Sequence, residues 1–147
     1  MRFISLLGAL LKSDEVVELL EANETRVIYD FDRLNEGTPD RYWAEFKHLG
    51  YLLRFDANQT LDAVFIYVIP SEGYSGVDPN ILQDVPFFKS RDEVDPGSFP
   101  FACALRRGDA ALGGRKVCWA RVDASEFSLH FEFRDGVLSL ITLSRKP

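Results

Sequence analysis

The chain is poor in the residues that build catalytic and metal centres. Its 147 residues include only two histidines, two cysteines and one methionine. Cys103 and Cys118 lack metal-ligand or CxxC spacing, so we interpret them as buried thiols of a reducing compartment, with a disulfide between them as the less favoured alternative. Neither His48, in a predicted turn, nor His130, on the polar side of a predicted strand, has the neighbours of a metal site or triad. We expect surface histidines, no metal and no cofactor.

Motifs for nucleophilic and nucleotide chemistry are also missing. Ser75 lies in GYSG, which differs from the G-x-S-x-G elbow and lacks its strand-to-helix context. The glycines at 108, 113 and 114 neither follow a clear strand nor lead into a helix with Lys-Ser or Lys-Thr. Paired carboxylates are present, but carboxylates in an acidic chain are mostly solvated charge. The sequence therefore favours a protein that is not an enzyme.

Long apolar runs and excess positive charge are absent as well. The opening MRFISLLGALLKSDE has an apolar run of about nine residues, and charged residues follow it where a signal peptide has small ones. No stretch approaches the roughly eighteen apolar residues that span a bilayer. We expect a cytoplasmic protein with no membrane partner. Its 17 Lys and Arg against 23 Asp and Glu oppose nucleic-acid binding and favour a basic partner.

The most informative feature that is present is an internal repeat. The order SDEV, WA and LLRFDANQTLDAVFIYV returns as RDEV, WA and HFEFRDGVLSLITL, at an offset of 76 to 78 residues. We favour a duplicated α+β unit over convergence between two ordinary amphipathic hairpins. The length suits one domain, 1–147, with repeat units 1–70 and 85–147 joined by the GYSG loop.

Two helices are predicted to open the chain, followed by strands. Leu6, Leu7, Leu10 and Leu11 share one face of a first helix, and Ser13 can cap a second. Strands follow in RVIYDF, YWAEF, YLLRF and LDAVFIYVI. Both faces of LDAVFIYVI are apolar, so we predict a central strand covered on both sides.

The second half is predicted to begin irregularly and to end in a hairpin. Residues 70–100 should have little regular structure beyond a short helical turn, and FACALRRGDAALGGRK should hold a displaced helical turn. FSLHFEFR and VLSLITL alternate as half-buried strands joined by a type I′ turn at Asp135-Gly136. The predicted fold class is α+β, with two opening helices packed on a mainly antiparallel, internally duplicated β-sheet.

Acidic residues and one loop tyrosine are the candidate binding residues. Tyr74, in the loop 71–84, is either an exposed binding anchor or part of a connector that folds back onto the sheet. The acidic stretch 30–43 either faces a cationic partner or is a solvated connection. For Trp43 and Trp119 we favour packing of each hairpin on its helix over an exposed contact role. The candidate binding residues are Asp30, Asp32, Glu36, Asp40, Glu72, Tyr74, Asp78, Asp84, Asp92 and Glu93.

The order SDEVVELLE, LRFDANQTLDAVFIYV, GYSG, VPFFKSRDEV and FSLHFEFRDGVLSLITL resembles small bacterial proteins encoded in polymorphic-toxin neighbourhoods, which are mostly regarded as immunity proteins. In those proteins the segment after SR-EV continues as a helix ending in Leu-Gly-x-Pro, whereas Asp95-Pro96-Gly97 and a longer insert stand here. The duplicated helix-plus-hairpin plan is also similar in architecture to the beta-lactamase inhibitor protein superfamily.

This resemblance implies an immunity protein that binds a cognate toxin domain and neutralises it by covering its active site. An acidic inhibitor suits a toxin with a basic cleft. The ten candidate residues above would then be the toxin-binding residues. The alternative is a small enzyme or ligand-binding domain with a pocket between the sheet and the helices.

Overall fold

Two short helices precede an eight-stranded sheet in the computed structural model, which describes residues 1–147 except for the side chain of Leu112. The helices are α1 (Phe3–Leu6) and α2 (Asp14–Ala22). The strands are β1 (Val27–Asp30), β2 (Arg41–Phe46), β3 (Tyr51–Phe55), β4 (Leu61–Tyr67), β5 (Ala104–Leu112), β6 (Arg115–Asp123), β7 (Phe127–Arg134) and β8 (Val137–Arg145). The predicted α+β class is confirmed.

The strands form one antiparallel sheet in the order β1-β2-β3-β4-β8-β7-β6-β5. Each half of the chain makes a four-stranded meander, and the halves meet where β4 pairs with β8. The Trp-Ala pair lies on the second strand of each meander, with Ala44 opposite Leu53 and Ala120 opposite Phe131. The topology therefore has the two-fold arrangement expected of a repeat, and common ancestry of the halves stays a prediction.

One face of the sheet carries the core, and we call it the covered face. Strand alternation sends Ala44, Leu53 and Phe131 to this side, and each has zero exposure. Phe3 of α1 packs edge-on against Tyr51 of β3, with ring centroids 5.0 Å apart. The helices and the segment 77–103 form the layer over this face, because the buried residues of both belong to the same core cluster.

The opening helix is shorter than the leucine pattern predicts. It ends at Leu6, and Gly8 follows with a φ of +87°, a conformation that leaves the helix. Leu10 instead forms a β-bridge with Thr60 and is 56% exposed, so the prediction of one helical face through Leu11 is wrong. Ser13 is the N-cap residue of α2 as predicted, but its hydroxyl makes no capping hydrogen bond.

The segment predicted to hold a displaced helical turn is a β-hairpin. Strands β5 and β6 pair along nine residues each, and Gly113 and Gly114 turn the chain with φ of +57° and +77°. Pairing with β6 overrides the helical preference of Ala, Leu and Arg in this segment. The other predicted hairpin is confirmed, because Asp135 and Gly136 have the positive φ values of a type I′ turn, +51° and +80°.

The segment 70–100 has the little regular structure that the sequence predicts. It contains three single turns of 3-10 helix, Pro79–Ile81, Arg91–Glu93 and Pro96–Ser98. The second copy of the repeat therefore makes only one turn at RDEV, where the first copy begins the nine-residue α2. Asp95 accepts from the backbone N–H of Gly97, so the Asp95-Pro96-Gly97 sequence begins a new turn and does not continue the old one.

Candidate binding surface

The face of the sheet opposite the core lies away from the helices, and we call it the open face. The strand register identifies the residues of this face. Trp43 and Trp119 directly precede the buried Ala44 and Ala120, so their side chains point away from the core. Trp43 lies opposite Arg54 on β3, and Trp119 lies opposite Glu132 on β7. The side chains that the register assigns to the open face include Trp43, Glu45, Arg54, Phe65, Trp119, Arg121, His130, Glu132 and Leu140.

Two aromatic pairs occupy equivalent places on this face. The rings of Trp43 and Phe65 are 6.3 Å apart, and the indole of Trp119 stacks on His130 at 5.6 Å. All four side chains are half-buried, and none belongs to the core cluster. The indole of Trp119 also lies directly over Gly108 of β5, where an added Cβ would be 2.4 Å from Cζ2. Each tryptophan is therefore held in place before any partner binds.

Charged side chains on the open face contact partners of opposite sign. Arg54 contacts Asp62 at 2.9 Å, with both side chains mostly shielded from solvent. At the other side of the sheet Arg121 contacts Asp123 at 3.0 Å, and Lys146 and Arg106 lie within 4 Å of the same carboxylate. The face thus combines half-buried aromatic rings with charged side chains in ion pairs, a composition typical of protein interfaces.

The predicted packing of Trp43 and Trp119 on the helices is wrong. The small Ala44 and Ala120 face the helix layer, and the indoles face the other way. The prediction that β4 is covered on both faces is also wrong, since Phe65 is half-exposed on the open face. The repeated Trp-Ala dipeptide could have predicted this orientation. Neighbouring strand residues point to opposite faces, and the small alanine suits the packed side.

Tyr74 is not an exposed anchor. It is 6% exposed and stacks on Tyr67 at 4.3 Å, while the ammonium of Lys47 lies 5.9 Å from its ring centroid. Burial, followed by the negative charge of Glu45, raises the pKa of Tyr74 above its ordinary value of 10.0. The connector that folds back onto the sheet is the correct interpretation of the GYSG loop.

Most of the predicted acidic residues shape loops. Asp32 accepts hydrogen bonds from three backbone N–H groups between residues 36 and 38, and Asp40 accepts from the Tyr29 hydroxyl at 2.7 Å. Glu72 accepts from the hydroxyl of Tyr67. Backbone N–H groups donate to Asp78, Asp84 and Glu93. Asp84 accepts from Ser5 of α1, and the other side chains accept hydrogen bonds from nearby residues of the chain, so their first role is structural.

The ten predicted binding residues are not brought together. Asp30 lies at the β1 edge, Glu72 follows the central strand β4, and Asp92 neighbours Arg91, which bonds to β5 at the opposite edge. Strands lie about 4.8 Å apart, so each group is three or more strand spacings from the next. Asp30, Glu36 and Asp92 remain exposed. A role in toxin binding stays a prediction for each acid, but they do not form one acidic patch.

His130 is expected to make the folded state sensitive to mild acid. Burial, opposed by Glu132 and aided by Arg121, lowers the pKa of His130 below its ordinary 6.5. Between the lowered pKa and pH 6.5 the unfolded chain binds more protons than the folded chain. The contribution of neutral His130 to the free energy of unfolding is therefore complete above pH 6.5 and is lost as the pH falls through the folded-state pKa. Chemical denaturation at several pH values should show that the free energy of unfolding falls less below pH 6.5 in His130→Gln than in the wild type. His48→Gln, at an exposed position, is the matched control and should behave like the wild type.

A groove of about 450 Å³ lies at one end of the open face. Residues 69–72 and the β7–β8 turn form its walls, and its lining includes Tyr67, Ile69, Glu72, Arg134, Val137 and Leu140. The space between helices and sheet, by contrast, holds core side chains such as Phe3, Leu6 and Val16, which are at most 2% exposed. The predicted alternative site between sheet and helices is therefore occupied by packing.

The described residues include no helix long and apolar enough to cross a membrane. Among them, no group of three or more His, Cys, Asp and Glu side chains is placed to hold a metal ion. The fold and surface together define an α+β protein with one covered and one open sheet face. Comparison with protein-family models, curated proteins and solved structures finds no match to the chain.

Proposed function

We propose that this protein is a bacterial immunity protein, which binds a cognate toxin domain and neutralises it by covering the toxin's active site. The observation that carries the proposal is the open face, with Trp43 and Trp119 at equivalent positions on it. Tryptophan, tyrosine and arginine contribute most of the binding energy at typical protein interfaces. The aromatic residues here lie outside the core cluster, so a role in holding the fold does not account for their number.

The size of the open face suits a folded partner. Seven spacings across the eight strands make the sheet about 34 Å wide. A specific interface needs roughly 1,000 Å² of total buried surface, which a face of this width supplies. A toxin domain seated on it would have a substantial part of its own surface covered, including an active site that lies within the contact.

The charge of the chain supports a basic partner. The net charge of −6 favours rapid encounter with a cationic surface, while the paired charges of the open face need little rearrangement on docking. Asp30 is exposed at the end of β1, and Glu36 is exposed in the loop that follows this edge strand. We therefore expect a toxin with a basic cleft, met in the cytoplasm, and an association rate that falls as salt is added.

The alternative function, a small enzyme or ligand-binding domain, has less support. The space between helices and sheet is packed, so such a protein would use a surface groove such as the one beside Tyr67 and Arg134. That groove lies at the end of the open face. A partner bound to the face could use it as a pocket for one projecting side chain.

Co-expression with the product of the gene immediately upstream tests the proposal. We expect that product to arrest growth when expressed alone, growth to recover when this protein is present, and the two to purify as a stable complex. The matched control is the same co-expression with Trp43→Ala and Trp119→Ala, which should lose the protection. An upstream product that is harmless and does not associate would rule the proposal out.

A further inference from the structure

Exposed apolar side chains are concentrated on and just after the edge strand β1. Nine large apolar side chains among the described residues are exposed. Five of them fall within eight residues of sequence, namely Val27, Ile28, Tyr29, Phe31 and Leu34, with exposures between 37% and 77%. A cluster of this kind on a monomer is typical of an interaction surface.

The two edges of the sheet differ in their protection. The outer side of β1 pairs with no described strand, and β1 contains no lysine or proline that would discourage pairing. On the other edge, β5 carries Arg106, Arg107 and Asp109, and the guanidinium of Arg91 donates to the Gly108 carbonyl at 3.1 Å. Among the described strands, β1 is therefore the less protected edge and the better site for the addition of a strand.

We propose that β1 pairs antiparallel with β1 of a second copy of this chain, with Ile28 on the two-fold axis. In this register Arg26 lies opposite Asp30 of the other copy, and Val27 lies opposite Tyr29. Arg26 and Asp30 are both exposed, and neither forms an ion pair within the described chain. The strand is thus complementary to itself in charge, with two ion pairs flanking an apolar centre.

A shift of one residue removes this complementarity. Arg26 would then lie opposite Phe31, and Val27 would lie opposite Asp30, so each charge would meet an apolar side chain. The register centred on Ile28 also places Arg26, Ile28 and Asp30 on the side of Trp43, because Ile28 pairs with Trp43 in the β1–β2 ladder. Pairing in this way joins the open faces of the two copies into one continuous sheet surface.

Sedimentation velocity of the isolated protein over a micromolar to millimolar concentration series tests the pairing. We expect a monomer–dimer equilibrium with a dissociation constant in the micromolar range, because a short edge interface lies at the low end of interface sizes. Ile28→Lys places two like charges on the axis and should leave a monomer. Ala110→Lys, at an exposed position on the other edge strand, is the matched control and should leave the dimer unchanged.

A charge swap tests the register. Arg26→Asp alone and Asp30→Arg alone should each weaken the dimer by about tenfold, because each puts two like-charged pairs across the interface. The double variant with both changes should restore wild-type self-association. Unchanged thermal unfolding midpoints show that the variants keep the fold.

A protein that stays monomeric up to millimolar concentration would overturn the proposal. So would a double variant that fails to recover the dimer, since the register predicts recovery. If the β1 variants leave self-association unchanged and weaken only binding to the toxin, the edge takes a strand of the toxin and the second copy is excluded.

Discussion

Trp43→Ala and Trp119→Ala together are expected to weaken toxin binding by about a thousandfold. Each indole is half-buried on the open face and held by a neighbouring ring, Phe65 in one case and His130 in the other. Truncating a tryptophan at the centre of an interface costs about 2 kcal/mol or more, so each single change should weaken binding by about thirtyfold. Titration calorimetry with the purified toxin domain measures both the single and the double variants.

A matched control separates contact from loss of fold. Phe87 is 44% exposed and belongs to the segment that covers the other face, so Phe87→Ala removes an exposed aromatic ring away from the open face. That variant should bind the toxin as the wild type does. Neither tryptophan belongs to the core cluster, and all variants should therefore unfold cooperatively. Undiminished affinity in the double tryptophan variant would show that the toxin binds elsewhere.

Gly108→Ala tests the role of Trp119 in binding by displacing its indole without deleting the ring. The added Cβ would lie 2.4 Å from Cζ2 of Trp119, so the indole must swing off the backbone of β5. We expect weaker toxin binding than in the wild type and tighter binding than with Trp119→Ala. The intrinsic fluorescence of the free protein should change, because Trp119 moves while Trp43 stays in place.

The final hairpin was predictable because it depends on local sequence. The turn at Asp135-Gly136 needs two positive φ values, and few residue pairs provide them as well. The strand β5 was not predictable in this way. Its sequence ALRRGDAAL lacks clean alternation, and its structure depends on pairing with β6 along its whole length.

The sequence allowed the open face to be predicted only in part. Alternation along YWAEF tells which residues share a side of the strand, but it does not tell which side the helices will cover. The roles of the acidic residues were even less predictable from the sequence. Asp32 reads as free charge in the sequence, whereas in the structure it accepts three backbone hydrogen bonds from its own loop. Composition cannot distinguish such a loop-forming carboxylate from one that is free to meet a partner.

Gly50→Ala is expected to destabilise the protein by about 3 kcal/mol or more. Gly50 has a φ of +82°, and a Cβ placed on it would lie 2.5 Å from the carbonyl oxygen of Ser75 and 2.6 Å from the backbone nitrogen of Val77. Both are backbone atoms, so no side-chain rotation relieves the clash. A left-handed backbone on a non-glycine residue costs about 1 to 3 kcal/mol, and overpacking adds a similar amount. Urea denaturation measures the loss.

The close approach at Gly50 also fixes the GYSG loop. The Ser75 N–H donates to the Lys47 carbonyl and the Val77 N–H donates to the Tyr67 carbonyl, so pushing the loop away breaks both bonds and uncovers Tyr74. Gly136→Ala is the matched control, because Gly136 has nearly the same φ, +80°, with nothing within 4 Å of the added Cβ. It should cost only about 1 kcal/mol. Equal losses in the two variants would mean that backbone conformation alone matters and that the loop tolerates the added methyl group.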